Sequence, residues 1–134
     1  MKNYLLDTHT LIWAIVDEDK LSETALDILQ DSRNQLFVSV VSFWEIAIKH
    51  AKGKLHLENF QIKNLPDYCK RLGIKLIMLM PEDTIYYSDL PFAEEHKDPF
   101  DRMLICKCIR SNYILISKDG KMNFYEDYGL SCIW

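Results

Sequence analysis

The chain predicts an α/β fold, a three-layer α/β/α sandwich around a mostly parallel central sheet of four to five strands. Short apolar runs of strand length alternate with longer segments of helical character along almost the whole chain. That alternation is typical of a parallel sheet with helices on both faces. The length of 134 residues suits one hydrophobic core. No repeat, low-complexity tract or linker interrupts the pattern, so we expect a single domain over residues 1–134.

The elements are expected in the following order. An apolar run at 3–6 forms the first strand and ends at Asp7, and the segment 8–16 follows it as a helix. Ser22 is a favourable N-cap for a helix over 22–31. The other expected strands are 36–39, 75–79, 113–116 and 130–133. The other expected helices are 39–54, which stops near Gly53, 60–72, where Pro66 is a potential break, 81–90 and 99–111.

Composition and charge argue for a soluble globular protein. Hydrophobic residues make up 49% of the chain and charged residues 27%. A net charge of −4 weakly opposes non-specific DNA binding, although the carboxylates of a catalytic site would contribute to it. No apolar run approaches the ~18 residues of a membrane span, and the N-terminal run is too short for a signal peptide. We therefore expect a cytoplasmic protein without membrane contact, whose four cysteines form no CxxC pair and are reduced.

Acidic residues follow the expected strands or open the helices beside them. Asp7 ends the first strand, Glu45 lies in the first turns after the second, and Asp119 follows the fourth. Asp98 and Asp101 open the helix that precedes the fourth strand. Ligands of an open parallel sheet bind outside the carboxyl ends of its strands. We therefore expect these carboxylates to converge at one edge of the sheet.

The segment HKDPFDRM, residues 96–103, also has a purely structural interpretation. Asp98 is a favourable N-cap, and Pro99 then falls at the first helical position, where its missing N–H costs nothing. Asp101 meets the positive end of the helix dipole.

The other three acids have structural interpretations as well. Asp7 suits the N-cap of the helix that follows it. Glu45 could complete a capping box with Ser42. Asp119 lies in the turn-forming sequence SKDGK.

A bound cation would remove the repulsion among converging carboxylates. Close like charges raise one another's pKa unless a cation neutralises them. A pocket of carboxylate oxygens suits Mg²⁺ or Mn²⁺. The scattered histidines form no zinc-like pair, and for His96, which lies near the expected site, a surface or capping role is favoured over substrate contact.

Four segments in order resemble the PIN domain (PilT N-terminus), and within it the branch of bacterial toxins of the VapC type. They are LLDTHTLIW (5–13), SVVSFWEIAIK (39–49), HKDPFDRMLICKC (96–108) and ILISKDGKMNFY (114–125). The resemblance spans nearly the whole chain and implies a metal-dependent ribonuclease that uses Mg²⁺ or Mn²⁺. It implies that the catalytic and metal-binding residues are Asp7, Glu45, Asp101 and Asp119.

Four further residues also lie in the segments that carry the resemblance. Thr8 is the hydroxyl residue beside the first acid, and Ser117 stands two positions before the fourth. Asp98 belongs to the signature of the VapC-type branch and is expected to cap the helix or to support the metal ligands. For Arg102, contact with a substrate phosphate and an ion pair with Asp98 at i, i+4 both stay open. In HKDPFDRM, therefore, Asp98 is expected to cap while Asp101 faces the metal.

Three other functions are weighed against the ribonuclease. An aspartyl phosphatase needs a second Asp two residues after the first, where this chain has His9. A phospho-acceptor receiver module needs an Asp at the end of the third strand, where residues 78–80 are Met, Leu and Met. The third is a catalytically inactive PIN-fold binding or scaffold protein, which the complete acidic set opposes.

The first expected helix carries more large apolar residues than one inward-facing stripe needs. They are Leu11, Ile12, Trp13, Ile15 and Val16. Either some of them stay exposed, or the helix is buried on two sides. The resemblance implies a groove between this helix and the helix around 68–72 that receives an antitoxin segment, with a basic side chain at the acidic site. It also implies a homodimer and an RNA substrate.

Overall fold

The structure is a computed structural model that describes residues 2–57 and 60–134. Its strands are β1 Asn3–Leu6, β2 Gln35–Ser39, β3 Ile74–Ile77, β4 Ile114–Ile116 and β5 Ser131–Ile133. They form one sheet in the order β3-β2-β1-β4-β5, and every pair is parallel. In the central strand, Leu5 pairs with Phe37 of β2 and with Leu115 of β4. The predicted α/β class is confirmed, and the sheet is fully parallel.

In the described ranges, six α-helices connect the strands. They are α1 Thr8–Val16, α2 Glu23–Gln30, α3 Val40–Ala51, α4 Leu65–Arg71, α5 Pro81–Tyr86 and α6 Pro99–Ser111. Short 3₁₀ segments lie at Glu18–Lys20, Ile62–Asn64 and Gly120–Tyr128. Ser22 caps α2 as predicted, because its hydroxyl accepts from the N–H of Ala25 at 3.0 Å. The helix expected over 60–72 begins only at Leu65, where Pro66 falls in the first turn.

Alternate residues of the central strands point into two apolar cores, one on each face of the sheet. Tyr4 and Leu6 belong to the first core, together with residues of α1, α2 and α4. Leu5 lies between them in sequence and belongs to the second core, together with Leu104 and Ile105 of α6. This alternation is the two-residue period of a strand that is covered on both faces. It produces the three layers that the sequence predicts.

The apolar excess of α1 is mostly covered. Leu11 and Ile12 are buried, Trp13 and Ile15 pack partly against the first core, and Val16 remains 44% exposed. Between α1, α2 and the residues after α4 the structure has a small cavity of about 110 Å³. That a groove between α1 and the helix around 68–72 receives an antitoxin segment stays a prediction.

The four cysteines are free thiols, as predicted, and three of them are buried. In the part of the chain that the structure describes, no helix has the length and hydropathy needed to cross a membrane.

A buried group of charges joins α5 to α6. The side chain of Asp83 is 1% exposed and lies 2.9 Å from Lys107 Nζ and 2.7 Å from Arg110 Nη1. Its Oδ2 also accepts from the backbone N–H of Met80 at 2.8 Å. Burial acts to raise the pKa of Asp83, but the hydrogen bonds from Met80 and Lys107 outweigh it and hold this pKa below its usual value of 3.8. The attachment of α5 to α6 therefore depends on the paired, buried carboxylate of Asp83.

We predict that Asp83→Asn lowers the free energy of unfolding by about 3 kcal/mol at neutral pH, because two cations lose their buried partner. Because the pKa is depressed in the folded state, this stabilisation is present above the unfolded value near 4 and is lost as the pH falls through the folded value. Urea unfolding across this pH range measures the difference. The exposed neighbour provides a control, since Glu82→Gln should change stability by less than about 0.5 kcal/mol. Equal effects of both substitutions would contradict the assignment.

Candidate active site

The four predicted acids lie at the carboxyl edge of the sheet. Asp7 follows β1 directly, and Asp119 follows β4 at the start of the 3₁₀ segment Gly120–Tyr128. Glu45 projects from α3, which begins where β2 ends, and Asp101 lies in the first turn of α6. Parallel strands that end side by side bring these positions to one place.

The pKa of Asp101 indicates that the predicted acids lie close to one another. Its burial raises its pKa, and the negative charges of Asp98, Asp7, Glu45 and Asp119 raise it further, to about 7. The Asp101 carboxyl is therefore in the field of all the other candidate acids. The side chains that the sequence singles out do converge.

Asp7 is both a helix cap and a member of this cluster. It is 4% exposed, and its Oδ1 accepts from the N–H of Thr10 at 2.8 Å. Burial raises the pKa of Asp7, although hydrogen bonds from Ser117 and Thr10 act in the opposite direction. The Ser117 hydroxyl also accepts from the N–H of Asp119 at 3.2 Å. Ser117 thus links the first acid to the fourth.

Glu45 contains a buried oxygen without a partner. Its Oε2 lies 2.8 Å from Lys49 Nζ, whereas Oε1 is fully buried and finds no hydrogen-bond donor among residues 2–57 and 60–134. Buried polar atoms normally have partners, and leaving one unsatisfied costs about 1–3 kcal/mol. This atom therefore points to a group that completes the site.

The capping box proposed for Glu45 is not formed. α3 begins at Val40, because Ser39 is its N-cap and accepts from the N–H of Val41 at 3.1 Å. Ser42 is already inside the helix, and its hydroxyl instead accepts from Thr8 Oγ1 at 3.0 Å. Thr8 thus joins α1 to α3 through a buried hydrogen bond.

Asp101 and Asp119 share a potential cation site with His96, which is not among the predicted metal ligands. Ligand atoms of His96, Asp101 and Asp119 lie within 4.8 Å of one another. Asp119 also has the predicted turn role, since its Oδ1 accepts from the N–H of Lys121 at 3.0 Å. His96 is 4% exposed, and Asp98 is the N-cap of α6, so the favoured surface or capping role of His96 is wrong. The only signal for it was its place at the head of HKDPFDRM.

His96 belongs to a chain of hydrogen bonds that ends on Asp101. Arg102 Nη1 donates to Tyr125 Oη at 3.0 Å, and Tyr125 Oη lies 2.8 Å from His96 Nδ1. Because a guanidinium only donates, the hydroxyl proton of Tyr125 is available to Nδ1. Burial lowers the pKa of His96, against the nearby charges of Asp119 and Asp98. In the tautomer in which Nδ1 accepts, Nε2 donates to Asp101 Oδ2 at 3.3 Å.

Arg102 is a buried structural residue. Both expectations for it fail, because its guanidinium is turned inward and bonds to the hydroxyls of Tyr87 and Tyr125 and to the carbonyls of Leu90 and Pro91. It is 7% exposed, so it is not available to a substrate phosphate. Within the described ranges it makes no ion pair with Asp98.

Asp98 is the N-cap of α6, as expected. Its Oδ1 accepts from the N–H of Phe100 at 2.8 Å and from that of Asp101 at 3.4 Å. Its carboxylate is exposed, and its contribution to the cluster is the negative charge that helps to raise the pKa of Asp101.

Comparison with known proteins agrees with this arrangement. The family model described as PIN domain matches residues 4–126. A comparison with curated protein sequences gives no match. A solved structure of VapBC2 from Rickettsia felis bound to a promoter DNA fragment matches with a TM-score of 0.70 and 18% identity, covering 97% of this chain and 96% of that one.

The structure of VapBC-1 from nontypeable Haemophilus influenzae matches with a TM-score of 0.66 and 19% identity, at 97% and 96% coverage. At these identities the two structures support the fold. The family-model match spans most of the chain, from β1 into the 3₁₀ segment that follows Asp119. The chain therefore belongs to the PIN domain family.

Proposed function

We propose that this chain is a metal-dependent endoribonuclease that hydrolyses RNA phosphodiester bonds, and that it is the VapC-type toxin of a toxin–antitoxin pair. The observation that carries the proposal is the unpartnered, buried Oε1 of Glu45 within a cluster of acids. PIN domain membership supports nuclease chemistry, and the fold shared with VapBC proteins supports the toxin assignment.

We also propose that residues 1–134 form a single PIN domain. The family model ends at residue 126, but β5 at Ser131–Ile133 pairs with β4 in the same sheet. The last strand is thus continuous with the matched part of the fold.

The donor set fits Mg²⁺ or Mn²⁺. Carboxylate oxygens of Asp7, Glu45, Asp101 and Asp119 would hold the ion, since oxygen ligands suit these hard cations. When bound, such an ion lowers the pKa of a coordinated water and offsets the charge of a phosphate. The unpartnered oxygen of Glu45 and the raised pKa of Asp101 are both consistent with a cluster that lacks a positive charge.

The chain's own contribution is to orient these carboxylates. Backbone N–H groups anchor one oxygen of Asp7 and one of Asp119. Lys49 anchors Oε2 of Glu45, and His96 anchors Oδ2 of Asp101. Each acid is therefore fixed through one oxygen by its neighbours, which directs the second oxygen.

We propose two partners in addition to RNA: an antitoxin protein, whose basic side chain reaches the acidic cluster, and a second copy of this chain. The homodimer is supported by an apolar groove of about 490 Å³ between α3, α5 and α6. Trp44, which lines it, is 63% exposed, a large apolar surface that a second copy could cover.

The first prediction concerns activity. Single-stranded RNA should be cleaved with Mg²⁺ or Mn²⁺ and left intact with EDTA. Asp7→Asn and Asp119→Asn should each lower the rate by roughly a hundredfold, equivalent to about 3 kcal/mol of lost charge stabilisation. Asparagine still caps a helix, so folding should be retained. Gel assays measure cleavage, and calorimetry with Mn²⁺ measures whether Asp7→Asn weakens binding.

Asp67 on α4 provides the matched control, because it is an exposed aspartate on another part of the fold. Asp67→Asn should cleave RNA and bind Mn²⁺ like the wild type. Equal Mn²⁺ binding by wild type and Asp7→Asn would refute the metal assignment. Metal-dependent cleavage of single-stranded DNA with RNA left intact would refute the substrate.

The second prediction concerns stability without metal. In EDTA, Asp101→Asn should raise the melting temperature, by about 4 °C for each kcal/mol of repulsion relieved. The folded carboxyl has a pKa of about 7 against a usual 3.8, so between these values it binds a proton that the unfolded chain does not. Wild-type stability should therefore fall as the pH rises from about 4 to 7.

The advantage of Asp101→Asn should accordingly be absent near pH 4 and complete above pH 7. Thermal melts monitored by circular dichroism across this range decide the point, with Asp67→Asn as the control. A strong loss of stability in Asp101→Asn at alkaline pH would mean that its contact with the helix dipole dominates.

The third prediction concerns assembly. Light scattering after size-exclusion chromatography should give a dimer for the chain alone, and Trp44→Glu should give a monomer, since it places a charge in the apolar groove. Tyr128→Glu is the control, because Tyr128 is also exposed but lies outside the groove. A small co-encoded protein should co-purify and suppress toxicity on expression. A wild-type monomer at high micromolar concentration would exclude the dimer.

A further inference from the structure

A groove of about 550 Å³ opens between α1, the end of α3 and the segment 54–57. Three ammonium groups line it, from Lys20, Lys49 and Lys54, together with the imidazoles of His9 and His56. Among the described residues, Asp17 is the single acid in its lining, and it pairs with Lys20 at 3.6 Å. The described lining thus carries more ammonium groups than carboxylates, on a chain whose net charge is −4.

One end of this lysine groove meets the acidic cluster. Lys49 lines the groove, and its Nζ lies 2.8 Å from Oε2 of Glu45. His9, two residues after Asp7 in the sequence, lines it as well. An anionic chain in the groove would therefore continue directly into the cluster.

We infer that the lysine groove binds the phosphodiester backbone of single-stranded RNA and leads it to the acidic cluster, an inference that rests on the proposed ribonuclease function. The cluster and the net charge repel a polyanion, so a substrate of this kind needs a local positive path. Lysines spaced along a groove provide such a path through phosphate contacts and counterion release.

The wall of the groove favours unpaired nucleotides. Trp13 lines it and is only partly buried, with the His9 ring 5.7 Å away and Lys118 Nζ 5.8 Å from the centre of its ring. Aromatic side chains beside a basic groove accept splayed bases, whereas the bases of a duplex are already stacked and covered. An acidic peptide would match the charge but makes no comparable use of an aromatic wall.

The test removes charge at the far end of the groove, away from the acids. Lys20→Gln and Lys54→Gln are combined in one variant, and Lys52→Gln is the control, because Lys52 is exposed two residues from Lys54 and does not line the groove. With single-stranded RNA, the double variant should raise KM by roughly tenfold and leave kcat unchanged within about twofold. Lys52→Gln should leave both constants unchanged.

Binding is measured separately in chains that also carry Asp119→Asn, which prevents cleavage. Fluorescence anisotropy with a labelled, random-sequence single-stranded RNA gives the affinity at several salt concentrations. The slope of log affinity against log salt should become shallower by roughly 0.7 for each groove lysine removed. It should not change for Lys52→Gln.

Three outcomes would overturn the inference. If wild type cleaves RNA and the double variant resembles Lys52→Gln in KM and in salt slope, the groove is not the RNA path, while the ribonuclease proposal stands. If polyglutamate binds with the predicted lysine dependence and RNA does not, the groove is a site for an acidic peptide. If wild type neither cleaves nor binds RNA, the ribonuclease proposal fails together with the inference.

Discussion

Repulsion between carboxylates at the carboxyl edge of the sheet is the constraint on which the rest of the site depends. Because β1 and β4 are neighbouring parallel strands, the acids that follow them cannot move apart while the ladder is intact. As a result, the pKa of Asp101 is raised to about 7. The surrounding structure holds this crowding in place with helix caps, the Ser117 hydroxyl, the Glu45–Lys49 pair and the buried His96–Tyr125–Arg102 chain.

Arg102 and Lys49, two cationic side chains near the acids, have different roles. Arg102 is buried and its guanidinium donates to tyrosine hydroxyls and backbone carbonyls. Tyr125 and His96 connect it to Asp101. Lys49 is partly exposed and lies between Glu45 and the lysine groove, so it belongs to both surfaces. The site is thus rigid on the Arg102 side and open to solvent on the Lys49 side.

The fold and the four acids could be predicted because their signals are local: alternating apolar runs, and acids placed directly after strands. His96 and Arg102 could not, because their partner Tyr125 lies in a 3₁₀ segment 29 and 23 residues away, whose course no local pattern specifies. The capping box at Ser42 failed for a related reason. β2 runs directly into α3, so Ser39 takes the cap and the helix begins earlier than the pattern suggests.

The strand order determines when, during translation, the acidic edge of the sheet can form. β1 is the first of these five strands to be translated but lies in the centre of the sheet, and one of its two neighbours, β4, is translated only at residues 114–116. Asp7 is therefore translated long before Asp101 and Asp119 can lie beside it. A nascent chain on the ribosome holds Asp7 and Glu45 long before it holds Asp101 and Asp119, so the fold itself delays the moment at which the acidic edge is complete.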